Sequence, residues 1–163
     1  MTKNKTATKH KRSLHTPKQA TKPIETTSTK RANRPLDSID LCKQIWIFDS
    51  VDRDGEFCFD PNRDDMNHKD ILDKIVQYSA RTWRDIKMET YGDDNKTKHH
   101  NLSYDHLSES ARERIARLHL DDDVDAIFSM RLDNRTRIIG LRNSHFFVVK
   151  WFDPKHKFCP SNG

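Results

Sequence analysis

Arginines recur at positions 131, 135, 137 and 142, and a histidine, His156, closes the same stretch. Guanidinium groups hold phosphates through paired N–H donors. An imidazole titrates near neutrality and can move protons. A surface that gathers Arg131, Arg137 and Arg142 beside His156 would therefore suit phosphate chemistry. A second polar stretch, Lys98-His99-His100-Asn101, adds His100 as a partner for His156 in acid–base work and Lys98 as a further phosphate contact. With His106 added, the histidines still lack the four-ligand spacing of a zinc site, so no metal and no cofactor is expected.

The elements that must position these groups follow from the apolar patterning. Three apolar runs over 127–153 are parted by Asp133-Asn134 and Asn143-Ser144, the signature of a three-strand antiparallel meander. Arg131 and Arg137 would face each other across its first hairpin. Upstream, Leu72, Ile75, Val76, Ser79, Trp83 and Ile86 recur at helical steps and predict one amphipathic helix over about 68–88, capped by Asn67. Leu107, Ala111, Ile115 and Leu118 predict a second over 103–119, and residues 90–101 are expected to be a polar loop. Two apolar runs flanking Asp52-Arg53-Asp54-Gly55 predict an N-terminal β-hairpin. A calcium loop fails there, because Ser50 and Pro61 stand where the first and last ligands belong. Helices followed by strands give an α+β domain over 36–163, with two helices packed on one face of a small antiparallel sheet.

Residues 1–35 differ from that body. They hold ten Lys and Arg against one acid, a net of +9, which leaves −4 for residues 36–163 of a chain whose total is +5. With Leu14 and Ile24 as its large aliphatics, this basic arm is expected to be disordered and to contact nucleic acid without sequence preference. No long apolar run or secretory h-region is present. Three widely spaced cysteines, Cys42, Cys58 and Cys159, suggest reduced thiols and a cytoplasmic protein.

Two helices, then Arg131-Leu132 with Arg137, a Gly140-Leu141-Arg142 strand, an apolar strand and a terminal His156, together resemble the RelE/ParE-like toxin superfamily over roughly residues 70–158. The resemblance implies a small α+β toxin of a toxin–antitoxin or defence system. It implies metal-independent cleavage of RNA, RNA or the ribosome as target, and an antitoxin protein as partner. The ParE-like branch would instead dock on a protein. Phe158 stands where ribonuclease members carry a tyrosine, and the acidic body is unlike a ribosome-binding surface. The alternative is a non-catalytic nucleic-acid- or protein-binding module of the same fold.

Overall fold

A computed structural model describes residues 39–92 and 95–160. The basic arm lies outside the described residues. The described elements run β1 (Ile45–Ile47), α1 (His68–Ser79), α2 (Trp83–Met88), β2 (Thr90–Tyr91), β3 (Lys96–Thr97), β4 (His100–Asn101), α3 (Glu109–Arg117), β5 (Ile127–Arg131), β6 (Arg137–Asn143) and β7 (Phe146–Asp153), with short 3-10 turns before and after α3. The chain is α+β, as its patterning predicts. No helix among the described residues is long and apolar enough to cross a membrane.

The meander forms as expected. Asp133 shapes its first turn by accepting the Arg135 and Thr136 backbone N–H groups at 2.8 Å, and Ser144 takes a left-handed φ of 58° in the second. The full sheet has order β1-β7-β6-β5-β4 and is mixed, because β1 runs parallel to β7. This corrects the expected antiparallel sheet. It also corrects the N-terminal hairpin: β1 pairs far along the chain, and residues 51–60 hold no strand. The reason lies in Asp52, which is buried. Its carboxylate accepts from Arg114 and from the Trp151 indole N–H, and its backbone N–H donates to Lys150. Asp52 thus anchors a loop rather than flanking an exposed turn, while Phe57 and Phe59 pin that loop to the core.

The helices also differ from expectation. Residues 68–88 break into two helices because Thr82 and Asp85 form a capping box that starts α2 afresh. Ile71 and Tyr78 are the buried residues of α1, so Leu72 and Val76 face outward. Ser108 caps α3, which starts six residues later than predicted. The polar segment 90–101 contains the β2–β3 hairpin and the edge strand β4. Helices cover both sheet faces, not one. Side chains of α1 and α2 join Phe128, Met130, Ile138, Phe147 and Phe152 on the first face. Ala111 and Ile115 of α3 join Ile127, Ile139, Trp151 and Phe158 on the second.

A bulge in β7 decides which residues reach that second face. Ile139 pairs with Trp151 but Gly140 pairs with Val149, so Lys150 is the extra residue. A one-residue insertion reverses the facing of everything after it. Trp151 and Asp153 thereby join the face that Phe147 and Val149 turn away from. Gly140 permits this, since a Cβ there would overlap the Val148 carbonyl oxygen. Gly140→Ala should therefore lower the unfolding free energy by ~1–3 kcal/mol in urea titration. An unchanged midpoint would show that the bulge tolerates a side chain.

Candidate functional site

On the second face, cross-strand pairing grades from apolar to charged. Ile127 sits beside Leu141; the next row is His100, Ser129, Ile139 and Trp151; the row after it is Arg131, Arg137 and Asp153. Beyond the helix-covered rows opens a cleft of about 550 Å³. Tyr91, Lys96, Lys98, His100, His106, Arg137, His156, Cys159 and Pro160 line it, and among the described residues no carboxylate does.

Arg137 is the buried cation of this cleft, 5% exposed. Its Nη1 donates to the Asp133 carbonyl at 3.1 Å and the Thr136 carbonyl at 3.0 Å. Arg131 donates through Nε to the same Asp133 carbonyl at 2.8 Å and through Nη2 to Asn134. One turn carbonyl thus gathers both guanidiniums. Burial and the neighbouring Arg131 lower the Arg137 pKa, while Asp153 and Asp133 oppose that shift. A cation so placed gains from any anion that enters.

His156 reaches the cleft through a turn built by Asp153. That buried carboxylate accepts the backbone N–H groups of Lys155 at 3.2 Å, Lys157 at 3.0 Å and Phe158 at 2.8 Å. The turn leaves His156 with a left-handed φ of 56°, uncommon for a residue with a side chain. Burial lowers the His156 pKa, and Arg137, His100 and Arg131 lower it further, against a pull from Asp153. His100 has its outer surface open to solvent, yet the cleft wall around its ring desolvates it. That desolvation and Arg137 push its pKa down as well. Both imidazoles line the same cleft as that guanidinium. Burial raises the Cys159 thiol pKa, so it stays protonated rather than serving as a nucleophile. The imidazoles ring the cleft without meeting at a point: among the described residues no three His, Cys, Asp or Glu are arranged to hold a metal ion.

The structure therefore brings together Arg131, Arg137, His100, His156 and Lys98. The ammonium of Lys98 is tied to Glu89 at the cleft wall. It does not bring Arg142 with them. Arg142 lies on the first face, above the Trp83 ring at 4.6 Å and bonded to Asp40. It lies a step of five along the strand from Arg137, and an odd step points to the opposite face. Sequence reasoning missed Tyr91 and Lys96, which appear once the supposed loop is seen as a hairpin, and missed Asp153 as the builder of the His156 turn. It weighed His106 for metal alone.

Behind the cleft stands His99, the neighbour that alternation sends inward. Its Nδ1 accepts the Arg131 backbone N–H at 3.1 Å, and its Nε2 lies 3.5 Å from Glu89 without a hydrogen bond. Burial pulls its pKa down to about 4, so it is neutral at pH 7. Burial alone would raise Glu89, but hydrogen bonds from Lys98 and Arg81 hold it at about 2.

No family model, curated protein or solved structure matches this chain.

A pH dependence of stability follows from this inner pair. An unfolded His99 titrates near ~6.5 and so binds protons before the folded one does. Stability is complete above that value and falls as pH drops toward 4, by roughly 3 kcal/mol from His99. Glu89 adds a second loss between its unfolded value of 4.5 and about 2. Urea titrations across pH 7.5 to 4.5 should show the first decline in the wild type and a flatter profile in His99→Gln. Parallel profiles would mean that His99 is not the group responsible.

Proposed function

We propose that this chain is a toxin-like, metal-independent endoribonuclease of a toxin–antitoxin or defence system, acting in the cytoplasm on RNA or the ribosome and restrained by an antitoxin protein. The observation that carries the reading is the cleft itself: His100 and His156 line it with the buried guanidinium of Arg137, and no carboxylate does so among the described residues. Those groups suffice for transesterification. One imidazole takes the proton of a ribose 2′-hydroxyl, whose oxygen then bonds to the adjacent phosphorus. The P–O5′ bond breaks, and the other imidazole, starting as imidazolium, protonates the leaving oxygen. The products are a 2′,3′-cyclic phosphate and a free 5′-hydroxyl, and no water is consumed. Arg137, with Arg131 hung on the same carbonyl, stabilises the charge that builds on the phosphorane oxygens.

His156→Ala and His100→Ala should each slow cleavage of a short RNA by about 100-fold or more while leaving RNA binding within a few-fold. Cleavage unchanged in His156→Ala would remove that residue from the mechanism. If the wild type binds RNA and never cuts it, the chain is the non-catalytic binding module instead.

The pH profile offers an independent check. A base–acid imidazole pair works best between its two pKa values, and both lie below the ordinary 6.5 here. The kcat/KM optimum should therefore be acidic. Arg137→Gln removes a cation that depresses both rings, so the optimum should move toward neutrality while kcat falls by roughly 100- to 1,000-fold. An alkaline optimum, or a profile that Arg137→Gln leaves in place, would argue against the pair.

A further inference from the structure

Tyr91 lines the cleft from the β2–β3 hairpin, and the apolar core does not account for an aromatic ring there. It is 41% exposed and belongs to neither core cluster. Its ring carries the Arg131 guanidinium, whose carbon lies 4.0 Å from the ring centroid. That guanidinium is itself fixed by bonds to the Asp133 carbonyl and the Asn134 side chain. Tyr91 lines the same cleft as the buried guanidinium of Arg137. An aromatic ring braced by a fixed cation, open to solvent and beside a cleft lined by cations, matches the requirements for stacking a nucleobase.

We infer that Tyr91, braced by Arg131, is a stacking platform for one unpaired base flanking the phosphate at Arg137, which makes the substrate class single-stranded RNA. The inference rests on the ribonuclease reading for the identity of the phosphate, not for the stacking. A base within a duplex offers no free face to the ring, so paired RNA is excluded from the platform. Purines stack over a larger area than pyrimidines and occupy it better.

The probe is a 2′-O-methyl hexanucleotide, which cannot undergo 2′-hydroxyl attack, titrated by fluorescence anisotropy against the full chain over a salt series. Wild type should bind the single strand in preference to the matching duplex. Tyr91→Ala should weaken single-strand binding by about tenfold or more and abolish that preference, whereas Tyr91→Phe should stay within about twofold. Replacing one base by an abasic residue should weaken wild type and leave Tyr91→Ala unaffected. Single-strand affinity unchanged in a Tyr91→Ala protein of native circular dichroism and melting temperature overturns the inference. So does wild-type affinity equal for strand and duplex. Cleavage of unmodified RNA, scored separately, keeps the two readings apart: a lost platform with intact cleavage refutes the stacking alone, and intact stacking without cleavage refutes the ribonuclease alone.

Discussion

One buried carboxylate holds the site together. Asp153 ends β7, 1% exposed, and accepts three backbone N–H groups from the turn that follows. An ionised carboxylate removed from water is costly unless hydrogen bonds and opposite charge replace its hydration. The three amides supply the first, and Arg137, paired with Asp153 in register, supplies the second. The dependence is mutual. A guanidinium buried in a sheet is equally costly alone, and Asp153 is among the charges that keep Arg137 ionised. The same turn presents His156 at its unusual backbone angle. The placements of His156 and Arg137 are therefore both set by a single side chain that is itself withdrawn from solvent.

The bulge at Lys150 explains how a core strand delivers such a residue. Before it, β7 sends Phe147 and Val149 into the first face; after it, Trp151 and Asp153 lie on the second. The nine residues of α3 then limit what is covered. At 1.5 Å per residue the helix shields only a short span, and Ala111 and Ile115 sit over Ile127, Ile139 and Trp151. The charged row of Arg131, Arg137 and Asp153 lies past it. A longer helix would fill the cleft with apolar side chains, so the brevity of α3 and the bulge together create the opening.

Local chemistry was legible in the chain and distant pairing was not. Asp133-Asn134 and Asn143-Ser144 marked the meander because turn residues act over four positions. The break at Thr82 was also readable, since Thr82 and Asp85 have capping-box spacing, but the helical period running on to Trp83 and Ile86 outweighed it. The Asp52 loop was not readable. Asp-Gly between apolar runs specifies a hairpin unless a remote cation claims the aspartate, and Arg114 lies 62 residues away. Likewise β1 finds its partner a hundred residues downstream. At the site, spacing alone could have removed Arg142, because an odd step from Arg137 reverses its face. The split between His99, buried, and His100, facing the cleft, needed knowledge that 100–101 is extended.

Charge placement completes the case for an anionic ligand. Residues 36–163 carry a net −4, and several of their cations are ion-paired: Arg114 with Asp52, Arg63 with Asp65, Arg81 and Lys98 with Glu89, Arg142 and Lys87 with Asp40. Pairing cancels their fields at a distance. In the cleft the Arg137 Nη1 donates to two carbonyls instead, and the acids that partly offset its charge, Asp153 and Asp133, do so without an ion-pair contact. On the proposed function, an acidic body would repel a polyanion broadly but attract it at the low-dielectric hollow around Arg137, where field lines concentrate. A strand bearing phosphates would be excluded from most of the surface and admitted where the imidazoles wait. Under the proposed function the basic arm, with its net +9, would offset the body's repulsion during encounter. Arm and cleft would then act on different steps of association. The arm would raise the encounter rate without specifying a site, and the carbonyl-held guanidinium would specify the site without raising the charge of the whole.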